Sequence, residues 1–255
     1  MQIAEFTAQL FRIEMSGIGS LYLDDEDTNK QANTSPEPHF TIGETVLPPF
    51  RGAFPTTQAY ITPRIAFAQH FASKLDRNDE DDAEHYEDIQ AVLSGVQKIL
   101  PSLFQEDENV PTILCNRDIS TSNVLVTPDG DLFSIVDWEC CAFLPPSLAT
   151  QISHFLKGPQ HDVLPAFPAD ASSDVYREAL ERYEKTRLRE FFVEEMARVE
   201  PRWGRVFEQT RKMRDVVVAI EHFENDVLVK WAREWVGALV ARREPKKSLG
   251  AVGTG

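Results

Sequence analysis

The stretch "NVLVTPDGDLFSIV", from Asn123 to Val136, constrains this chain more than any other. It reads as two short β-rich runs joined by a turn, because Asp129-Gly130 supplies the positive backbone angle that a tight hairpin needs. A third β-rich run, "TILC", precedes it at 112–115. Most of the remaining chain has the period of helices. Ile3, Phe6, Leu10 and Ile13 recur at three- and four-residue steps, so the chain opens in an amphipathic helix. Helical patterning returns at "RIAFAQHFASKL" and from about Glu84 to Phe104, where Ile89, Val92, Leu93, Val96, Ile99 and Leu100 mark one face. Long helices are expected from about Asp174 to Val199 and from about Arg205 to Val240. Between the first two helices, Gly and Pro punctuate the chain up to about residue 63, which reads as loop, with Gly17 and Gly19 in "GIGS" ending the first helix. The expected class is α+β, mainly α, with a small β-hairpin insert.

Composition narrows the function. A net charge of -15 argues against a nucleic-acid partner, since binding phosphate backbones needs a basic surface that displaces counterions. A cationic small-molecule substrate suits it better. No run approaches the roughly 18 apolar residues of a membrane helix, and the opening "MQIAEFTAQLFRI" lacks a basic leader, so a cytoplasmic address without membrane contact is expected. Cys115, Cys140 and Cys141 form neither a disulfide framework nor a zinc spacing and read as small buried hydrophobes. "DRNDEDDAEHYED" packs eight acids into thirteen residues and reads as a solvated loop leading into a helix. The ending "ARREPKKSLGAVGTG" reads as a frayed tail.

The hairpin is flanked by polar residues with a chemical use. Asp118 and Asn123 bracket "ISTS", and Asp137 ends the second β-run. A loop followed by a hairpin would bring the three to one rim, with Val124, Leu125, Val126, Ile135 and Val136 anchoring them below. Phosphoryl transfer asks a protein for little covalent work. It needs an acceptor hydroxyl held in line and a metal that neutralises phosphate charge. One carboxylate would orient the hydroxyl and take its proton, while a carboxamide oxygen and a second carboxylate would hold Mg2+, a hard cation that prefers oxygen.

The run "LCNRDISTSNVLVTPDGDLFSIVDWE" resembles the catalytic segment of the aminoglycoside phosphotransferase family, a branch of the protein-kinase-like superfamily, and especially its fungal-type group. That group usually reads His-x-Asp, four residues, Asn, a hairpin and Ile-Asp-Trp-Glu. The resemblance extends to "AEFTAQLFRIEMSGIGSLYL", "FTIGETVLPPF", "RGAFPTTQAYI" and "ECCAFLPPSLATQISHFLKG", covering most of residues 3 to 158. It implies a kinase-like carboxy-terminal lobe over 1–243, a disordered tail at 244–255, Asp118 as catalytic base, and Asn123 and Asp137 as magnesium ligands. ATP is the implied phosphoryl donor and a small molecule the acceptor. Ser120 stands where protein kinases of the Ser/Thr type carry a Lys, which favours that acceptor class.

The resemblance also has gaps. The family's amino-terminal β-lobe, with its strand Lys and glycine-rich loop, is expected to be absent from these residues, and neither "GIGS" nor Lys30 substitutes for it. Position 116 is Asn where the family carries His, so the bracing of the loop must differ, and Arg117 can be a surface residue or an ion-pair partner. A second class of function stays open: a non-catalytic, repurposed module whose missing-lobe face a protein partner covers. Hydrolase chemistry fits poorly, since there is no H-E-x-x-H or G-x-S-x-G and the six histidines are scattered.

Overall fold

The computed structural model of the chain describes residues 2–23, 40–44, 52–104, 111–166, 174–246 and 248–249. The chain enters through α1 (Gln2–Phe11), which packs through Ala4, Ala8 and Phe11 and leaves Ile13 outside the helix and exposed. A short strand β1 (Glu14–Met15) follows, then an antiparallel pair, β2 (Ser20–Leu23) and β3 (Phe40–Gly43). The loop expected up to residue 63 is therefore partly strand. Gly17, at φ +100°, lies between β1 and β2, so it is not the cap of α1. Isolated bridges tie Ile18 to Phe54 and Gly19 to Phe143. The remainder of that expected loop, at 24–39 and 45–51, falls outside the described residues, as does Lys30.

Helix α2 (Thr57–Ala72) begins before the point expected, because Thr56 caps it by accepting the Ala59 amide at 3.1 Å. Pro63 sits inside it. Helix α3 (Glu80–Leu103) also starts early, and here the acidic run has a local cause. Asp79 caps the helix, accepting the Asp82 amide at 3.1 Å, and Glu80, Asp81 and Asp82 fill its first turn. Acids there meet unpaired amides and the positive end of the helix dipole, so this part of the expected loop is helix. Asp88 is turned into the interior, where it pairs with Arg233 at 2.5 Å.

The hairpin region supplies β4 (Thr112–Asn116), β5 (Val124–Val126) and β6 (Leu132–Ile135), and a further strand, β7 (Cys141–Leu144), which the cysteine pair had concealed. β4 is the middle of a three-stranded antiparallel sheet, ordered β1-β4-β7. In it Glu14 faces Ile113, and Asn116 faces Cys141. β5 and β6 form their own two-stranded hairpin. The short helix α4 (Pro146–Ala149) and a single 3-10 turn at His154–Leu156 lead towards α5 (Asp174–Val199).

The long helix expected after residue 205 is three helices. They are α6 (Pro201–Gln209), α7 (Arg211–Glu221) and α8 (Asp226–Val240). Thr210 breaks the first pair, its hydroxyl turning back to the Val206 carbonyl at 2.7 Å. Asn225 starts α8 by accepting the Leu228 amide at 3.0 Å. The tail also differs from expectation over its first part. Glu244 pairs with Lys212 at 2.7 Å, Ser248 donates to Asp215 at 2.7 Å and Leu249 is buried in the core, while 250–255 lie outside the described residues. The architecture is thus mainly helical with small antiparallel sheets. Among the described residues no helix is long and apolar enough to cross a membrane.

The core joins α3 and α8 most closely. A Cβ on Gly95 of α3 would stand 2.1 Å from Cγ1 of Val236, a buried residue of α8, so the helices can approach this far only with Gly there. Gly95→Ala is expected to lower stability by about 1–3 kcal/mol through overpacking, read as a lower urea midpoint at unchanged slope.

Candidate functional site

The site grows from the end of β4. Asn116 is buried, and its Oδ1 accepts the Asp118 amide at 2.8 Å, so the carboxamide braces the loop where the sequence resemblance would have placed an imidazole. Its Nδ2 finds no partner among the described residues. It lines a cavity of about 20 Å³ shared with Thr7, Arg117, Gln151 and Ser153, a volume suited to one water. From Asp118 the chain turns tightly: the Ser120 amide donates to the Asp118 carbonyl at 2.9 Å and the Asn123 amide to the Ser120 carbonyl at 3.1 Å. Ile119, buried between them, anchors the turn.

That turn brings Asp118 and Asn123 into contact. Asn123 Nδ2 donates to the Asp118 carbonyl at 3.0 Å and to its Oδ2 at 3.3 Å. With the nitrogen so engaged, Asn123 Oδ1 is left with only a long contact from the Ser122 hydroxyl, at 3.4 Å. Asp137 arrives from the other side of the hairpin. The Val136 amide donates to the Asn123 carbonyl at 2.9 Å, and the Cys141 amide to the Trp138 carbonyl at 3.0 Å, so the segment carrying Asp137 is held at both ends. Asp137 itself has φ 62°, a left-handed conformation uncommon outside Gly. Its exposed carboxylate makes no hydrogen bond or ion pair among the described residues. Burial first, then the charges of Asp118, Glu139 and Asp137, raise the pKa of the Cys140 thiol, against a smaller opposing effect of Arg117. Burial pushes the thiols of Cys115 and Cys141 up to about 12, so they stay protonated at neutral pH.

The hairpin is tied to α1 at its turn and just beyond its base. Gln2 of α1 donates to Asp131 at 2.7 Å and accepts the Leu132 amide, and Trp138 meets Phe6 edge-on at 5.8 Å. Of the five residues expected to anchor it from below, only Ile135 is buried. Val124 is half-buried, and Leu125, Val126 and Val136 are exposed, because no layer among the described residues covers that face. Phe133 is 74% exposed.

Beneath the loop lies a charged network that the sequence did not disclose. Arg117 Nη2 grips Glu221 at the end of α7, 3.2 Å from Oε1 and 3.1 Å from Oε2, and its Nη1 reaches the Tyr60 hydroxyl at 3.3 Å. Arg64 adds a second bond to Glu221 Oε1 at 3.2 Å, with its guanidinium 3.5 Å from the centre of the Tyr60 ring. Arg117 is thus an ion-pair partner and not a surface residue. Glu221 raises the Arg117 pKa further against burial. Burial alone would raise the Glu221 carboxyl, but Arg117 and Arg64 outweigh it and hold the group below its ordinary range. One signal was available: an acid closing the apolar run "VVVAI" sits at a helix end that is partly withdrawn from water and so favours a cation beside it.

Among the described residues, no group of three or more His, Cys, Asp and Glu side chains could hold a metal ion. Asp118, Asn123 and Asp137 form a different kind of set, with two carboxylates and one carboxamide. Compared with family models, curated proteins and solved structures, the chain matches none.

Two expectations test this geometry. Glu221→Gln leaves two guanidiniums facing an amide and should cost about 2 kcal/mol near pH 7. Because the folded carboxyl titrates below its unfolded value of about 4.3, its contribution is complete above that pH and fades as pH falls through the folded value. The penalty measured by urea unfolding should therefore shrink below about pH 4. Asp137→Gly should leave stability unchanged or raise it by up to about 1 kcal/mol, since Gly relieves the backbone at φ 62°.

Proposed function

We propose that residues 1–243 are a kinase-like carboxy-terminal lobe of the aminoglycoside phosphotransferase type, serving ATP- and magnesium-dependent phosphoryl transfer to a hydroxyl of a small molecule. The observation that carries this reading is the contact of Asn123 with Asp118, whose bonds of 3.0 and 3.3 Å give the two side chains separate tasks. The amide nitrogen engages Asp118 Oδ2, which leaves Oδ1 of Asp118 to accept the acceptor's hydroxyl proton. It also leaves Asn123 Oδ1 as a metal ligand.

The donor set suits Mg2+: Asn123 and Asp137 would supply two oxygens, as many as this ion commonly takes from a protein, the rest coming from water and phosphate. When bound, the ion supplies neutralisation of phosphate charge. Asp118 orients the acceptor oxygen and takes its proton late, as the new oxygen–phosphorus bond forms and the donor's terminal phosphorus–oxygen bond breaks. Asp137, held in a costly backbone conformation with its carboxylate unpaired among the described residues, fits a ligand better than a structural acid.

Titration of the chain with magnesium–ATP by calorimetry is expected to give heat that Asp137→Ala abolishes. Phosphotransfer to amine-bearing sugars is expected to fall by about 10²–10⁴-fold in Asp118→Asn. Equal heats with EDTA, or unchanged turnover in Asp118→Asn, would overturn the reading.

A second reading, a non-catalytic kinase-like module that binds a protein partner, is favoured by the exposed Leu125, Val126, Phe133, Val136 and Trp138 on and beside the hairpin. Under it the chain gives no metal-dependent nucleotide heat, and Phe133→Ser weakens partner binding without loss of stability.

A further inference from the structure

Two consecutive residues at the end of β4 each keep one buried nitrogen unengaged. Neither Asn116 Nδ2 nor Arg117 Nε has a hydrogen-bond partner among the described residues. Both nitrogens can only donate. The Asn116 carboxamide has already given its oxygen to the Asp118 amide, and Arg117 has turned its terminal nitrogens to Glu221 and Tyr60. Asn116 is only 9% exposed, so open solvent does not serve its amide. A buried donor left alone carries its full desolvation cost, and two side by side in one loop need a common acceptor.

Both residues line the cavity of about 20 Å³, which has room for one water-sized molecule. The same cavity is lined by Thr7 of α1 and by Gln151, just after α4, and each of these has spent its donor elsewhere. The Thr7 hydroxyl donates to the Ile3 carbonyl at 2.8 Å, and Gln151 Nε2 to the Leu148 carbonyl at 2.8 Å. What the two have left to offer is oxygen lone pairs. Apart from Ser153 the rest of the wall is mostly apolar, with Leu10, Phe11 and Ala149 all buried, so a molecule held there has few other polar groups to turn to. An anion would satisfy Asn116 and Arg117 but meet the lone pairs of Thr7 and Gln151, and a cation would meet the opposite conflict. A water molecule accepts two hydrogen bonds and donates two, so it answers both pairs at once.

We infer that the cavity is a binding site for one integral water, which accepts from Asn116 Nδ2 and Arg117 Nε and donates to Thr7 Oγ1 and Gln151 Oε1. This water is the second half of the brace that Asn116 begins on the Asp118 amide. It ties the loop leaving β4 to α1, the same helix that holds the hairpin turn through Gln2 and Asp131. Helix α1 thereby bears on the loop before Asp118 and on the hairpin before Asp137. The site goes beyond the phosphoryl-transfer reading and does not depend on it.

The side-chain N–H protons of Asn116 and Arg117 are followed by NMR in the 255-residue chain. Both are expected to show a rotating-frame Overhauser peak to water, opposite in sign to the peak that proton exchange gives. Thr7→Val, which keeps the shape and removes the acceptor oxygen, is expected to weaken both peaks and to speed hydrogen exchange at the Asp118 amide about fivefold, the effect of losing one hydrogen bond. Thr7→Ser, which keeps the hydroxyl, stays within about twofold of the parent. Absence of the water peak at either nitrogen in the parent chain overturns the inference, and this result needs no variant to fold. A folded Thr7→Val that matches the parent, or a Thr7→Ser that loses as much as Thr7→Val, overturns it too. A saturable shift of both N–H signals when chloride replaces gluconate at fixed ionic strength overturns it in favour of an anion.

Discussion

The position of each candidate group follows from β4 being paired along both edges. With β1 on one side and β7 on the other, the strand ends at Asn116 opposite Cys141, so the chain leaving β4 and the chain entering β7 start from one place. Where the ladder stops, the Asn116 side chain takes over and accepts the next free amide, that of Asp118, at 2.8 Å. The turn then closes on Asn123, whose carbonyl receives the Val136 amide at 2.9 Å. Asp118 and Asp137 are each confined between these two fixed points. A buried central strand therefore sets the spacing of residues that are separated in sequence by a whole hairpin.

Electrostatics divides neighbouring residues between two jobs. Arg117 directs its charge to Glu221 and Tyr60, away from the carboxylate beside it in sequence. Had it instead paired with Asp118, the acid would be neutralised and the loop would lose its tie to α7. As built, the guanidinium anchors the loop to α7 and α2, and among the described residues the Asp118 carboxylate accepts only the Asn123 amide hydrogen, at 3.3 Å. Partial burial makes the anchor effective, because an ion pair partly withdrawn from water is less screened by salt, and leaving either partner alone there is costly.

Local patterns in the sequence were sufficient for much of this. The period of Ile89, Val92, Leu93 and Val96 marked the buried face of α3, the Asp-Gly pair marked the hairpin, and α5 begins and ends where its pattern does. Signals that depend on a single side chain were harder to weigh. Thr210 and Asn225 divide one apolar periodicity into three helices, and Asp79 turns an acidic stretch into a helix start, each through one hydrogen bond at a terminus. The spacing of Asp118, Asn123 and Asp137 could be read directly, whereas the partners of Arg117 could not. Tyr60 and Glu221, with Arg64 bound to the same Glu221, come from α2 and α7, and nothing local links those segments to residue 117. The hairpin's face was misjudged for a related reason: β-rich, apolar strands are normally buried, and whether another layer covers them is a tertiary fact.

Two features of the molecule run against folding stability, and they share one edge. A left-handed aspartate at 137 and a row of exposed apolar side chains on β5 and β6 both raise the free energy of a folded chain in water. Elsewhere the same chain packs closely enough that α3 and α8 require Gly95 at their crossing, and a tryptophan, Trp203, is wholly enclosed and stacked on Phe207 at 4.7 Å. Gly at 137 and polar residues along the hairpin would have served the fold better, so the cost at this edge needs a use outside the isolated fold. Under the proposed reading the acids would answer to a cation and a phosphate, and the apolar strands to a second surface. Both demands meet where the hairpin leaves Asn123, so whatever occupies the hairpin face bears directly on the loop that holds Asp118.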